Sequence, residues 1–444
     1  MASGNDDSEN AFGLGDNESL ILMKPYLAHL NKTDSMVADL IRKETTRQQE
    51  TLDLIPSENI VSPSVLEALG SSFTNKYSEG YPGKRYYAGN EIADKVEVLA
   101  QERARKVFRL GKEWSVNVQP LSGSPANLAV YFGLLRPGEK IMGMSLPFGG
   151  HLTHGWKVSA TGQFYASVQY GVTREGYLDY EEIEKLAHKE KPRIIIAGFT
   201  AYSRTIDFEK FAKIARRINA FFMVDMAHIA GLVASGVHPS PFPYADVVTT
   251  TTHKSLRGPR GAIIFSRNDR IVKENDKETN IARQIDKAVF PGLQGGPHDN
   301  QTAAIAVCLG EALRPAFKTY GRQIVKNAKV LAHALQKLGF QLVSNGTDNH
   351  LMLIDLTNKG ISGREGQDRL EKAGIIVNRN TVPYDTRSPF DPSGIRLGTP
   401  SLTTRGMKEK EMKLIAGFIH EALTTADSFA LRKKVKILCR RFSI

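Results

Sequence analysis

Four short, nearly continuous apolar runs limit what this chain can fold into: Ile194–Gly198, Phe221–Val224, Ala245–Thr252 and Ala262–Phe265. A strand wetted on one face alternates polar and apolar residues, whereas a strand covered on both faces reads as an unbroken run. Between the first two runs, Phe208, Phe211, Ala212, Ala215 and Ile218 recur at helical spacing. Strand–helix–strand alternation from about residue 110 to 265 predicts an α/β domain with a mostly parallel sheet. Further on, Ile324, Val325, Ala328, Leu331, Ala332, Leu335 and Leu338 form a second helical stripe. Gly339 suits its end, and Phe340–Ser344 reads as a strand opening a smaller α/β domain. The expected division is an acidic leader (1–24), an N-terminal arm (25–107), a large domain (108–305) and a small C-terminal domain (306–444).

The ends of the chain bear on partners and compartment. The stretch before Lys24 holds five acids (Asp6, Asp7, Glu9, Asp16, Glu18) and no base, unlike a signal or transit peptide. It reads as a disordered extension. No apolar stretch approaches the ~18 residues a membrane helix needs. Cys308 and Cys439 lack the spacing of a disulfide framework or zinc knuckle, consistent with a reducing, cytoplasmic setting. The formal charge of +12 raises the question of nucleic acid. Six bases near the C-terminus (Arg432, Lys433, Lys434, Lys436, Arg440, Arg441) are not interleaved with base-stacking aromatics. They read as a solvated helix face, with the overall field favouring anionic ligands.

In an open α/β sheet, ligands bind beyond the carboxyl ends of the strands. Two runs deliver polar groups there: Phe221–Val224 leads into Asp225, and Ala245–Thr252 into His253 and Lys254. Pyridoxal phosphate needs such a pair, a lysine for the Schiff base and an acid against its ring nitrogen. Taken alone, however, these two residues are more simply a helix-capping aspartate and a surface lysine. Ser122-Gly-Ser-Pro-Ala-Asn127, before an apolar helix beginning near Leu128, adds a helix-start signature and an anion site. The Pro291–Pro297 loop, rich in glycine, is a second backbone able to approach a phosphate. His151 and His154 have metal-like spacing but no third ligand nearby in the sequence, so no metal is expected. A ring stacked on a planar cofactor is the better reading of His151, and a hydrogen-bonded core residue that of His154.

Six ordered segments carry a resemblance to a known family: Ile55–Asn59, Thr74–Tyr87, Gly149–Gly155, Val224–Gly231, Thr249–Lys254 and Ser393–Pro400. From about residue 25 to beyond 420 the chain resembles the serine hydroxymethyltransferases, pyridoxal-phosphate enzymes of fold type I. The resemblance implies reversible conversion of L-serine and tetrahydrofolate to glycine, 5,10-methylenetetrahydrofolate and water. It makes Lys254 the Schiff-base lysine, Asp225 the pyridinium partner and His151 the stacked ring, with His228 facing the cofactor's phenolic oxygen. Ser122, Gly123, Ser124, Thr200, Ser203 and His253 fall on the cofactor side. Tyr77, Gly295 and Gly296 would come from the second subunit of a homodimer, with a tetramer also open. Arg396 would clamp the substrate carboxylate, suited by its forked donors, with Ser57 and Tyr87 as further substrate contacts. Glu79 matches the acid/base carboxyl, with burial expected to raise its pKa. Leu146, Gly150, His151, Leu152, Asn380, Ser388, Pro389 and Phe390 match folate contacts.

Three features depart from the family's bacterial pattern. Thr200 replaces a serine but keeps the hydroxyl, the acidic leader is extra, and a polar insert lies around Asn275–Asn280. The alternatives weighed are a folate-independent lyase of the threonine-aldolase type and a catalytically silent RNA-binding protein.

Overall fold

The computed structural model describes residues 27–274, 277–425 and 428–443, so the acidic leader lies outside the described residues. The central sheet has seven strands: β1 (Trp114–Asn117), β2 (Lys140–Met144), β3 (Ala166–Tyr170), β4 (Ile194–Ala197), β5 (Phe221–Asp225), β6 (Val247–Thr251) and β7 (Ala262–Arg267). Their order is β1-β7-β6-β5-β4-β2-β3. Only β7 runs antiparallel to its neighbours, so the mostly parallel α/β architecture expected from the sequence is present.

The unbroken apolar runs have the cause inferred for them. Along β5, Phe222 and Val224 pack on one face of the sheet with Phe211 and Phe265, while Phe221 and Met223 pack on the other with Tyr131, Ile196 and Ile264. Both faces are therefore dry, and each such side chain contributes about 2 kcal/mol by leaving water. The helix Phe208–Arg217 covers the first face with Phe208, Phe211, Ala212 and Ala215. Asp207 starts it by accepting from Lys210 N at 3.0 Å.

A second core centres on a four-stranded antiparallel sheet: β8 (Gln341–Leu342), β9 (Leu351–Asp355), β10 (Asn378–Asn380) and β11 (Gly394–Gly398), ordered β8-β9-β11-β10. The helix Pro315–Lys337 joins the two cores, giving Phe317, Tyr320 and Ile324 to the first and Ala328, Leu331, Ala332 and Leu335 to the second. The strand read over Phe340–Ser344 is shorter than expected. It stops at Leu342 because Ser344 and Asn345 take positive φ (both 55°) and turn the chain away.

Leu52 and Leu54 of the N-terminal arm also enter the second core. The basic C-terminal segment forms the helix Ser428–Arg440, which buries Leu431, Val435, Leu438 and Cys439 against that core. Around the polar insert, Ile271–Glu274 and Lys277–Asn280 pair as antiparallel strands. Both cysteines are buried and free. No helix among the described residues is long and apolar enough to cross a membrane.

One buried cation ties the two chain ends to this domain. Arg405 donates to Thr51 O (2.8 Å), Gln49 O (2.9 Å), Cys439 O (3.1 Å) and Phe442 O (2.8 Å). These carbonyls lie at or just past the C-termini of helices Ser35–Glu50 and Ser428–Arg440, where orphan oxygens and the helix dipole favour a cation. Arg405→Met should strand those carbonyls and lower stability by about 3 kcal/mol. The check is the denaturant midpoint at unchanged slope; an unaltered midpoint would reject the role.

Candidate active site

The carboxyl ends of the parallel strands open onto one cleft of about 410 Å³. The loop after β1 leads to Ser122, Gly123 and Ser124; that after β2 brings Leu146, Gly150, His151 and Leu152. Thr200 follows β4, Asp225 ends β5, and His253 and Lys254 follow β6. His228, Arg260, Ser57, Asn380 and Arg396 complete the wall.

Asp225 is the most tightly held of these groups. Its Oδ2 accepts from Asn127 Nδ2 (2.9 Å) and lies 3.2 Å from His154 Nε2, and its Oδ1 accepts from Ala227 N (3.1 Å). The network assigns the protons. His154 Nδ1 accepts the backbone N–H of His151 at 3.3 Å, so the His154 proton sits on Nε2 and is donated to Asp225. His151 Nδ1 accepts from Thr153 N, and Thr153 Oγ1 lies 2.7 Å away, so the neutral His151 carries its proton on Nε2. Burial alone would raise the Asp225 pKa, but the His154 hydrogen bond, the neighbouring histidines and Asn127 hold it well below the usual carboxylate range. The trio His151, His154 and Asp225 is compact enough to suggest a metal site. Both nitrogens of His154 are already engaged, which leaves it no lone pair for a cation.

Opposite this carboxylate stand two cations without carboxylate partners. Among the described residues Lys254 Nζ donates to Thr251 Oγ1 alone, at 2.9 Å. Burial lowers its pKa to about 8, with Asp225 pulling upward and Arg260 and Arg396 pushing down. Arg396 is 9% exposed; its Nε donates to Asn378 Oδ1 (3.0 Å) and its Nη1 to Thr200 O. Its Nη2 has no partner among the described residues. Burial lowers Arg396 to about 10, still charged at neutral pH. A buried guanidinium without a counter-ion is costly unless a ligand supplies the anion.

A third donor set lies at the start of the helix Gly123–Leu134. The helix begins five residues earlier than its apolar run suggested, so Pro125 sits within the first turn. Ser122 makes no side-chain cap, and the hydroxyls of Ser122 and Ser124 bond to no group among the described residues. The first-turn amides are thus open to an anion. Beside them, Arg260 Nη1 donates to His253 Nε2 at 3.4 Å, so neutral His253 carries its proton on Nδ1, a buried donor lacking a partner. A β-carbon at Gly123 would lie 2.7 Å from Thr251 Cγ2, which accounts for glycine there.

Gly198 (φ 111°) is required for a similar reason: a β-carbon would lie 1.9 Å from Asp225 O. The Thr200 hydroxyl, replacing serine, is 3.1 Å from both Gly149 O and Gly150 O and staples the β2 loop in place.

Not every expected residue reaches this cleft. Ser203 is turned away, its hydroxyl 2.9 Å from Ser344 Oγ. Ser388, Pro389 and Phe390 are exposed beyond the wall. Tyr77, Glu79, Tyr87, Gly295 and Gly296 gather elsewhere on the surface. Tyr77 Oη donates to Glu79 Oε1 at 2.9 Å, Tyr77 packs edge-on to Tyr87 at 5.2 Å, and both glycines lie against Tyr77. Glu79 is only partly covered there, short of the burial expected for it. The role of Asn127 is new to the structure, and an amide inside an apolar helix was the available signal.

A sheet-end lysine, a carboxylate held ionised and a helix-start anion site define a pyridoxal-phosphate enzyme of fold type I, and the donor set fits that cofactor. The serine hydroxymethyltransferase family model matches residues 30–419. The chain is 57% identical over 399 residues to the serine hydroxymethyltransferase of Acidothermus cellulolyticus, covering 90% of each protein. It is 54% identical over 417 residues to that of Desulfotalea psychrophila, covering 93% of this chain and 95% of the relative. The chain belongs to the serine hydroxymethyltransferase family, whose members use pyridoxal phosphate and take tetrahydrofolate as co-substrate.

The Lys254 environment predicts a pH profile. If Lys254 is the amine that captures the cofactor, its neutral form must do so, and capture by cofactor-free protein should speed up as pH rises through about 8 and then level off. A profile still climbing toward 10.5, the value of an unburied lysine, would reject the buried setting. Stopped-flow absorbance of cofactor uptake reads it directly.

Proposed function

We propose that the cleft residues carry out the family reaction, the reversible conversion of L-serine and tetrahydrofolate to glycine, 5,10-methylenetetrahydrofolate and water, in the roles the resemblance implies. The observation that carries the reading is Arg396, a buried guanidinium whose free Nη2 belongs to the same cleft as Lys254 and Asp225. An amino-acid carboxylate is the anion that satisfies it.

The bound pyridoxal phosphate supplies an electron sink for the pair released when the Cα–Cβ bond of serine breaks. Lys254 provides the amine that holds it, and Asp225 keeps its ring nitrogen protonated. Ser122, Ser124, the Gly123 amide and His253 would bind the phosphate, and His151 would be the side chain that lies against the ring. Arg396 holds the substrate carboxylate, with Ser57 beside it. Leu146, Gly150, Leu152 and Asn380 line the approach for tetrahydrofolate, with the exposed 388–390 segment at its outer edge. Water exclusion by these walls strengthens each charge interaction.

Glu79 is the proton carrier in this reading, and it acts from a second subunit. Tyr77, Glu79, Tyr87, Gly295 and Gly296 cluster away from their own cleft, with Tyr77 54% and Tyr87 51% exposed. A two-fold dimer would place one chain's cluster over the other chain's cleft, supplying the burial Glu79 lacks alone.

Arg396→Lys keeps the charge but loses the fork, so serine KM should rise roughly 10- to 100-fold, the worth of ~1.5–3 kcal/mol. Cofactor absorbance should stay intact; an unchanged KM would refute the clamp. Glu79→Gln should likewise preserve cofactor absorbance while collapsing folate-dependent turnover. Mixing Glu79→Gln with Lys254→Ala subunits then tests the shared site. Random dimers would regain about a quarter of wild-type turnover, since half are mixed and each mixed dimer has one intact site. No recovery would mean Glu79 serves its own cleft.

A further inference from the structure

His228 is the wall residue with the least explained surroundings. It is buried and borders the cleft on one side and a small void of about 10 Å³ on the other. Such a void has room for a single water. His350, 0% exposed, shares that void. The two rings stack 5.7 Å apart at 27°, with His228 Nδ1 3.4 Å from His350 Nε2. Burial and the nearby cations Lys254 and Arg396 push both well below the ordinary histidine range, His350 to about 3. Both rings are therefore neutral at working pH, and each carries one proton.

Two neutral imidazoles sharing one hydrogen bond are locked in the same sense. The cleft end decides which sense. On the proposed function His228 faces an acceptor and must present an N–H there from Nε2, so its Nδ1 is the acceptor toward His350 and the shared proton sits on His350 Nε2.

We infer that His350 is a positioning residue: its Nε2–H donates to His228 Nδ1, which obliges His228 to present Nε2–H to the cleft as a hydrogen-bond donor. The shared void has room for one water to donate to His350 Nδ1. The assignment rests on the reading that His228 faces the cofactor's phenolic oxygen, an acceptor that needs an N–H. It adds the device that keeps the proton on the correct nitrogen. Without His350, the lone pair and the N–H of His228 would exchange, and half the orientations would oppose two acceptors.

The test uses the full-length protein in three variants and one labelled wild type. His350→Leu removes the donor at similar volume, and His350→Gln restores an amide that can donate to His228. Expected for His350→Leu are normal cofactor occupancy, a shifted visible spectrum of the bound cofactor, and kcat lowered 10- to 100-fold at little change in serine KM, the range for loss of an outer-shell partner. His350→Gln should recover most of the spectrum and of kcat. A glutamine variant as impaired as the leucine one, or a leucine variant with wild-type spectrum and kcat, overturns the proposal. Should the leucine variant fail to fold, histidine-selective ¹⁵N resonances of the cofactor-free wild type decide it. His228 must show a single neutral tautomer protonated on Nε2; a mixture or the other tautomer overturns the inference. His228→Asn separates the two readings. If it leaves spectrum and kcat unchanged, the role of His228 itself fails; if only it is impaired, His350 alone is excluded.

Discussion

The hydrogen bonds on Asp225 are the constraint from which the rest of the cleft follows. A carboxylate buried at the end of a central strand is stable only with donors on its oxygens. Those donors come from three separate elements: Asn127 on the first cleft helix, His154 in the loop after β2, and the backbone after β5. Satisfying one charge therefore fixes three segments against each other. Asn127 also bridges to Thr153 (2.9 Å) and accepts from Thr249 (2.7 Å), extending the tie to β6, the strand that delivers Lys254. His151, held by Thr153, inherits its orientation from the same net.

Electrostatically the site is unbalanced on purpose-bearing groups. Asp225 has both oxygens occupied by hydrogen-bond donors, while among the described residues neither Lys254 nor Arg396 hydrogen-bonds to a carboxylate. Burial depresses both, and the Arg396 charge further depresses Lys254, which leaves an amine easier to deprotonate and a guanidinium in want of an anion. A chain selected for stability alone would pair or remove such cations, since an uncompensated buried charge costs several kcal/mol. The imbalance makes sense when the ligands bring the missing negative groups, a phosphate at the helix start and a carboxylate at Arg396.

How much of this was readable in advance depended on sequence distance. The sheet strands were legible because burial on both faces writes itself into consecutive residues, and Asp225 and Lys254 because they directly follow such runs. The helix start at Gly123 is not legible because Ser122 makes no side-chain cap, so the sequence signal of a capping serine does not mark it. The truncated strand after Phe340 was hidden because Ser344 and Asn345 are not residues that demand positive φ. The pairings of Asn127, His154 and His350 were not legible for another reason. Their partners stand 98, 71 and 122 residues away, and only the fold brings the pairs together. Ser203, expected beside the phosphate, instead packs on the loop that carries Ser344.

The surface cluster around Glu79 shows the same logic applied to a part with no cleft of its own. Arg85 Nη1 donates to Ser78 O (2.8 Å) and Gly80 O (2.7 Å), the carbonyls on either side of Glu79, and Tyr86 N bonds Glu79 O at 3.0 Å. Arg85 is in turn pinned by Asp94 (2.8 Å) and by buried Glu97 (2.7 Å). Three consecutive carbonyls and a buried ion network thus hold one half-exposed glutamate in a single orientation. Holding an exposed loop so firmly is wasteful unless its geometry matters to something outside the chain. The rigidity of that loop, more than the exposure of its tyrosines, is the physical argument for the proposed second copy, whose cleft Glu79 would complete.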